Sequence, residues 1–508
     1  MYRTPAIGKK GLVVSGHPLA TSAGLKILQE GGNAADAAIA VSSVLSVVLP
    51  SQNGIGGDFF ALYYDSSNGK IKFLNASGYS GSLAKFENLP EESGIKILPK
   101  ESPYSITVPG ITYGWYLLSS YSTMKFEKLL SQSIDYAENG FPISYHLSSQ
   151  IFKSKEKIRK NKFLFENFSG KMFGETVKNL PLAQTLKKIS ENPLDFYNGE
   201  TFEKISEYLE EIGSFIIPSD LKNYKAFWDN PIKGNYRKYE IIETPPNTQG
   251  IAALVALKIM ENYDVANLKE WENISIMVMA KIKAFQIREM VTDPKFMKFD
   301  IMEFIENNGN NIHESIKRTI EGDTVNFAII DKDGNAISGI QSLFYPFGSG
   351  YADEKTGVIF QNRGAYFSLS NEHPNFIQPN KRTLHTLTAG MIVKDEELFG
   401  VFGAAGGEGQ PQTHIQIIHN IIDRKMNPQE SVEYPRFVHG RILFEGNETL
   451  KIEENFEKYT LEKLSSIFNT EIVGKLNDLM GDANIIIKKE NVLMGGSDPR
   501  RDSMGLGF

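Results

Sequence analysis

The sequence contains no cysteine among its 508 residues. The chain therefore cannot form disulfide bonds, bind zinc through thiolates or use a cysteine nucleophile. Any chemistry that it performs must depend on oxygen or nitrogen nucleophiles.

Long apolar runs and strongly basic blocks are also missing. The N-terminal stretch MYRTPAIGKKGLVVSGHP has no apolar segment after its positive charges, and no run reaches about 18 apolar residues. We therefore expect a soluble, cytoplasmic protein without membrane contact. The formal net charge of −7 argues against a nucleic-acid partner, because binding to phosphates needs a basic face. A small-molecule partner is the better prediction.

The motifs of several common enzyme classes are absent as well. The sequence has no complete G-x-S-x-G, H-E-x-x-H, Walker or G-x-G-x-x-G motif, and its eight histidines are scattered. These absences weigh against an α/β-hydrolase, a metal-dependent hydrolase and a nucleotide-binding enzyme. We expect neither a metal ion nor an organic cofactor.

What is present begins with a buried helix and a buried strand near the N-terminus. The segment from Gly31 to Pro50 starts with a Gly-Gly-Asn turn that can cap a helix, and it is then apolar on nearly every face. After a glycine-rich turn, DFFALYYD predicts a strand that lies between two layers, because both of its faces are apolar. These faces are formed by Phe59, Ala61 and Tyr63 on one side and by Phe60, Leu62 and Tyr64 on the other.

From about residue 110 to 325 the pattern is mainly helical, and strands predominate after Gly322. The Asp-Gly pair between TVNFAIID and AISGIQSLF predicts a β-hairpin, since its turn needs positive φ, and Thr324 opens the first strand. Further along, AGMIVKD and ELFGVFGAAGG predict strands, THIQIIHNIIDR predicts a helix, and a βαβ-like unit follows. The asparagine-rich NNGNN at 307–311 is predicted to be a loop.

Eight short blocks occur between residues 31 and 502: GGNAADAAIAV, PSQNGIGGDFF, PPNTQG, GDTVNFAIIDKDGNAIS, QNRGAYFS, PNKRTLHTL, GAAGGEGQPQ and GSDPRRD. In order and spacing they resemble the blocks of the γ-glutamyltranspeptidase family and its acylase-like relatives, over nearly the whole chain. The resemblance implies an α+β fold, a four-layer αββα N-terminal-nucleophile hydrolase sandwich with two central, mostly antiparallel sheets. Residues 1–323 and 324–508 would be its large and small portions, interleaved in one domain.

The resemblance also implies a catalytic threonine that the protein exposes by cutting its own chain. The cut falls between Asp323 and Thr324, and the freed α-amine, with a pKa of roughly 7.7 to 8.0, is the base that the Thr324 hydroxyl needs. Ser342 matches a second threonine that holds the nucleophile, and Gly406 and Gly407 match the glycine pair whose N–H groups form the oxyanion hole. Without the resemblance, Thr324 and Ser342 are polar residues on strands, and the glycines form a turn.

The segments that bind γ-glutamate in the family differ in this sequence. LNASGYSGSLAKF lacks the arginine that holds the α-carboxylate, and Arg363 and Tyr366 replace the glutamine and aspartate that hold the α-ammonium. His385 and Thr386 replace two serines that contact the α-carboxylate, although a structural role for His385 is equally compatible. A guanidinium should reject an ammonium and prefer a carboxylate. The resemblance thus implies an amidohydrolase or acylase for small amides that carry a carboxylate, such as oxamate or glutaryl amides.

Three functions are compatible with these observations. The first is hydrolysis or transfer of an acyl group from a small amide through an acyl-threonine, in a pocket altered from γ-glutamyl recognition. The second is an ordinary γ-glutamyltransferase or glutathione hydrolase that binds glutamate through other residues. The third is an uncleaved, inactive homologue with a binding role. The partners of either enzyme would be the amide and the protein's own two cleavage products, and a homo-oligomer is also compatible.

Overall fold

The computed structural model describes residues 3–89, 98–298, 303, 323–440 and 448–508. The strands in this part of the chain are β1 (Ala6–Gly8), β2 (Leu12–Ser15), β3 (Asp58–Asp65), β4 (Lys70–Ala76), β5 (Phe141–Pro142), β6 (Thr176–Val177), β7 (Phe227–Asp229), β8 (Ile232–Tyr236), β9 (Tyr239–Glu243), β10 (Asp323–Ile330), β11 (Ala336–Phe344), β12 (Ala389–Lys394), β13 (Glu397–Ala404), β14 (Phe437–His439), β15 (Leu450–Glu453), β16 (Thr470–Val473), β17 (Ala483–Lys489), β18 (Val492–Ser497) and β19 (Met504–Gly507).

The α-helices of the described ranges are found mostly in the first 290 residues. They are α1 (Pro18–Gln29), α2 (Ala34–Val48), α3 (Ile111–Leu118), α4 (Phe126–Asn139), α5 (Tyr145–Lys153), α6 (Lys155–Arg159), α7 (Lys162–Phe168), α8 (Leu180–Glu191), α9 (Asp195–Asn198), α10 (Glu200–Glu211), α11 (Pro218–Lys222), α12 (Gly250–Met260), α13 (Glu270–Arg288), α14 (Gln410–Ile422), α15 (Pro428–Glu433) and α16 (Lys458–Ile467). None of these helices combines the length and the apolar character that crossing a bilayer requires.

Two seven-stranded sheets form the centre of the molecule. Sheet I has the strand order β19-β2-β10-β11-β3-β4-β7, and sheet II has the order β1-β18-β17-β13-β12-β9-β8. Neighbouring strands in both sheets are antiparallel. Each sheet contains strands from before and from after Thr324, so neither sheet is complete in one half of the sequence.

Three apolar cores separate four layers. One core fills the space between the sheets, where Phe60 and Leu62 of sheet I pack with Met391 and Val401 of sheet II. The second lies between sheet I and a helical layer that includes α1 and α2. The third lies between sheet II and a layer that includes α12, α13 and α14. The predicted αββα architecture is therefore confirmed, as is the position of β3 between two layers.

Helix α2 is the predicted buried helix, and it holds the central hairpin. Its N-cap, Asn33, accepts hydrogen bonds from the Ala35 and Asp36 N–H groups, and all fifteen helical residues are buried. Gln341 of β11 donates through Nε2 to the Ser42 carbonyl oxygen at 3.1 Å and to other polar atoms of this region. These bonds fix the position of β11 against α2, one residue before Ser342.

The predicted hairpin forms from β10 and β11 in the middle of sheet I. Asp331 stabilises its turn by accepting the N–H groups of Asp333 and Asn335, and Gly334 adopts a φ of +87°. The predicted βαβ-like unit is also confirmed, because β15 and β16 are parallel and α16 connects them. The region predicted to be mainly helical from about residue 110 begins with two separate helices, α3 and α4. The predicted NNGNN loop lies outside the described residues.

Leu62→Ala should destabilise the protein, because Leu62 is fully buried between the sheets. Truncation of a buried leucine leaves a cavity and lowers the free energy of unfolding by about 2–5 kcal/mol. Urea unfolding would measure the change, with Ile472→Ala as a control, since Ile472 lies on a strand and is half exposed. Equal stability of the two variants would contradict the packing of β3 between layers.

Candidate active site

The hairpin brings Thr324 and Ser342 together across two neighbouring strands. Both residues are 1% exposed, and the Thr324 hydroxyl donates to the Ser342 Oγ at 3.4 Å. The Ser342 hydroxyl in turn donates to the carbonyl oxygen of Asp323 at 2.6 Å and accepts the Phe344 N–H at 2.7 Å. One hydroxyl therefore contacts both the Thr324 oxygen and the carbonyl of the Asp323–Thr324 peptide bond.

The Asp323 side chain lies in a buried polar cluster on the other side of this bond. Its Oδ1 accepts hydrogen bonds from Arg501 Nη1 at 2.6 Å, Gln52 Nε2 at 2.8 Å and the Thr324 N–H at 3.1 Å. His146 Nε2 lies 3.4 Å from Oδ2. Burial opposes ionisation of Asp323, but the charge of Arg501 and the hydrogen bond with His146 outweigh it and hold the pKa of Asp323 well below its usual range. Asp323 is thus an ionised carboxylate with polar partners at both of its oxygens.

Arg501 connects this cluster to two further carboxylates. Its Nε donates to Asp478 at 2.9 Å, and its Nη1 lies 3.8 Å from Asp482. Burial opposes charge on Arg501, yet the three carboxylates raise its pKa above the ordinary arginine value. Burial raises the pKa of Asp482 to about 6, although Arg501 counteracts the shift. The Asp482 carbonyl accepts the N–H of Ala405 at 2.7 Å, which joins the cluster to the glycine turn after β13.

Gly406 and Gly407 form this turn, with φ angles of +130° and +57° that favour glycine. Gln249 Nε2 donates to the Gly407 carbonyl at 2.9 Å and also to the Thr386 carbonyl, so that the Gly407 carbonyl is directed towards Gln249. Within the described ranges, the Gly406 and Gly407 N–H groups donate no hydrogen bond. The turn therefore has two backbone N–H groups that are not used by other described residues.

Arg363 is 1% exposed and lies against the end of the hairpin. The carbon of its guanidinium is 3.8 Å from the ring centroid of Phe344, the residue whose N–H binds Ser342. Its Nη1 donates to the Thr386 hydroxyl at 3.0 Å, whereas its Nε and Nη2 have no hydrogen-bond partner in the described structure. Burial lowers the pKa of Arg363 to about 9, although Asp58 counteracts the shift. The guanidinium is still charged at neutral pH, and two of its nitrogens are not satisfied.

Tyr366 and His385 are near Arg363, but their polar atoms are already engaged. The Tyr366 hydroxyl donates to Glu408 at 2.7 Å, immediately after the glycine turn. His385 Nδ1 accepts the Leu387 N–H at 3.2 Å, and its Nε2 lies 2.9 Å from Asp58. Burial, with the nearby charge of Arg363, lowers the pKa of His385 to about 3. The ring is therefore neutral at pH 7 and donates to Asp58.

The structure thus groups the predicted residues into two adjoining sets. Thr324 and Ser342 meet at the Asp323–Thr324 peptide bond, and the glycine turn is joined to the Asp323 cluster through the hydrogen bond between Ala405 and Asp482. Arg363, which contacts the Phe344 ring, and its hydrogen-bond partner Thr386 form the second set. Gln52, His146 and Arg501 were not predicted as site residues. Gln52 and Arg501 belong to the recognised blocks PSQNGIGGDFF and GSDPRRD, which was a signal that their segments line the site. His146 lies in none of the blocks, and no local pattern identifies it.

Known proteins are similar to this chain in sequence and in fold. The sequence model of the family described as Gamma-glutamyltranspeptidase matches residues 20–508. The glutathione hydrolase-like YwrD proenzyme of Bacillus subtilis (strain 168) is 37% identical over 522 residues, covering 99% of each chain. The oxamate amidohydrolase proenzyme of Klebsiella pneumoniae subsp. pneumoniae is 29% identical, again over 99% of each.

Among solved structures, cephalosporin acylase from Bacillus halodurans is similar with a TM-score of 0.92 and 31% identity, covering 100% of this chain and 97% of that one. The fold, the matched family and these relatives lead to one conclusion: the chain belongs to the γ-glutamyltranspeptidase family and is an N-terminal-nucleophile amidohydrolase close to the family's acylases.

Proposed function

We propose that this protein cuts its own chain before Thr324 and then hydrolyses, or transfers, the acyl group of a small amide that carries a carboxylate. The observation that best supports the cut is the position of the Ser342 hydroxyl, which contacts both the Thr324 Oγ1 and the Asp323 carbonyl oxygen. The attacking oxygen and the carbonyl to be attacked are therefore held beside the same group.

In the self-cleavage step, Thr324 Oγ1 attacks the carbonyl carbon of Asp323. The C–N bond breaks, the nitrogen takes the hydroxyl proton and becomes an amine, and the Asp323 acyl group is left as an ester on Oγ1. Water then hydrolyses the ester, which gives an α-carboxylate on Asp323 and a free hydroxyl and α-amine on Thr324. Ser342 stabilises the first addition by donating to the oxygen on which negative charge develops.

In turnover, the α-amine of Thr324 accepts the proton of its own hydroxyl as Oγ1 attacks the amide substrate. The N–H groups of Gly406 and Gly407 bind the resulting oxyanion, and the amine product leaves with the proton. The acyl-threonine ester is then released by water in hydrolysis, or by an amine in transfer.

The substrate's carboxylate is assigned to Arg363. The hydrogens on Nε and Nη2 point from one edge of a guanidinium, and that edge binds a carboxylate through two parallel hydrogen bonds. These are the two nitrogens of Arg363 without a partner in the described residues. Asp58, the acidic neighbour, is already bound by Gln361, His385 and the Gly78 N–H. Glutaryl and oxamate amides both have the required carboxylate, whereas the ammonium of a γ-glutamyl group would be repelled.

The two product chains are proposed to remain one folded unit. Sheets I and II both combine strands from residues 1–323 with strands from 324–508, so separation would expose the apolar faces of both sheets.

Thr324→Ala should abolish self-cleavage, because it removes the attacking oxygen. Denaturing electrophoresis is expected to give two bands of unequal size for the wild type and one for the variant, while both wild-type bands elute together in gel filtration. Thr324→Ser is the matched control, since it keeps the hydroxyl and should be cut. A wild type that stays in one piece would favour the inactive homologue, and a cut Thr324→Ala chain would exclude Thr324 as nucleophile.

Glutaryl-p-nitroanilide should be a better substrate than γ-glutamyl-p-nitroanilide, which differs by the α-ammonium. Arg363→Gln is expected to lower kcat/KM for the glutaryl compound by about ten- to a hundredfold, because two hydrogen bonds to a charged group are lost. Arg363→Lys keeps the charge but cannot form the two parallel hydrogen bonds. Its kcat/KM should therefore lie between those of the wild type and Arg363→Gln. A clear preference for the γ-glutamyl compound would instead favour an ordinary γ-glutamyltransferase.

Glutarate should stabilise the folded protein through Arg363. A ligand that binds only the folded state adds about 2.7 kcal/mol at a hundred times its Kd. Thermal melting is expected to show this increase for the wild type and not for Arg363→Gln, and neutral glutaramide serves as the control ligand. An equal increase in melting temperature in both proteins would show that the glutarate carboxylate binds away from Arg363.

A further inference from the structure

Two side chains each contact both of the residues joined by the peptide bond that is proposed to break. Arg501 Nη1 lies 2.6 Å from Asp323 Oδ1 and 3.3 Å from the carbonyl oxygen of Thr324. Gln52 Nε2 makes the same pair of contacts, at 2.8 Å and 3.1 Å. Each donor thus holds the side chain before the bond and the main-chain carbonyl after it, so rotation on either side of the bond is restricted.

The charge of Arg501 has a second consequence. Self-cleavage creates a negative oxygen on the main-chain carbonyl of Asp323, and the carboxylate of the same residue would repel it. The repulsion is strong because Asp323 is 4% exposed and surrounded by protein. Arg501, at 2.6 Å, cancels this charge, and Asp478 holds the other edge of its guanidinium through Nε. Gln52 contributes only hydrogen bonds, since it is neutral.

We propose that Arg501 is a positioning residue for self-cleavage, acting together with Gln52. Arg501 neutralises the Asp323 carboxylate and, with Gln52, holds the scissile peptide so that Thr324 Oγ1 faces the Asp323 carbonyl carbon. This inference rests on the proposed cut before Thr324. It assigns a role to the second arginine of the GSDPRRD block, a residue to which the proposed turnover of an amide gives no role.

The rate of self-cleavage is the quantity that tests this role. Full-length precursor would be made by cell-free synthesis in the presence of labelled methionine, and the loss of the uncut band would be followed after synthesis is stopped. Arg501→Gln should slow the cut by about ten- to a hundredfold. Arg501→Lys should recover part of the rate, because it restores the charge. Arg424→Gln is the matched control, since Arg424 is also an arginine paired with a carboxylate, Glu270, but contacts neither Asp323 nor Thr324, and its cleavage rate should stay within about threefold of wild type.

A double-mutant cycle separates charge cancellation from a general loss of structure. In an Asp323→Asn background there is no carboxylate to neutralise. Arg501→Gln should therefore slow self-cleavage less in that background than in the wild type. Melting temperatures of the same variants in an uncleavable Thr324→Ala background report stability independently of the cut.

Three outcomes would count against the inference. A wild-type cleavage rate for Arg501→Gln, an equal loss in both Asp323 backgrounds, or a loss that follows melting temperature across all variants would each overturn the role of Arg501 and leave the cut before Thr324 intact. Cleavage of Thr324→Ala at the same bond would instead overturn the proposed function itself.

Discussion

The hydrogen bond from the Ser342 hydroxyl to the Asp323 carbonyl oxygen is the contact on which the site depends. It exists because β10 and β11 are adjacent in sheet I with Asp323 opposite Phe344. A register slip of one residue would turn Ser342 to the opposite face of the sheet. The bonds from Gln341 to α2 and the packing of sheet I between two cores prevent that slip. The fold therefore supports the site by fixing the register of β10 against β11.

Two arginines whose side chains are almost entirely buried flank this hairpin, and their surroundings differ. Arg501 is paired with Asp323 and Asp478, so its charge is compensated by the protein itself. Arg363 is more deeply buried, but two of its nitrogens have no partner among the described residues, and burial lowers its pKa. An unpaired buried charge is costly unless a ligand of opposite charge completes it. We therefore interpret Arg501 as part of the maturation machinery and Arg363 as part of substrate recognition.

Local periodicity and turn residues predicted α2, β3 and the β10–β11 hairpin, whereas the four-layer architecture was implied by the resemblance to the family. Thr324 and Ser342 were indicated by the resemblance to the family, since on the hairpin pattern alone they are only polar residues on strands. The neighbours Gln52, His146 and Arg501 could not be predicted as contacts, because they converge on Asp323 from segments far apart in the chain. The hydrogen-bond partners of Tyr366 and His385 are likewise set by tertiary packing. They could not be predicted from a single sequence.

The most direct measurement locates the acyl group on the enzyme. Protein mixed with glutaryl-p-nitroanilide would be quenched in acid, digested and analysed by mass spectrometry. We expect a glutaryl ester on a peptide that begins at Thr324 with the sequence TVNFAIID. An ester on Ser342, or on a peptide in which Thr324 is still joined to Asp323, would contradict the claim that one hydroxyl first cuts the chain and then carries the substrate's acyl group.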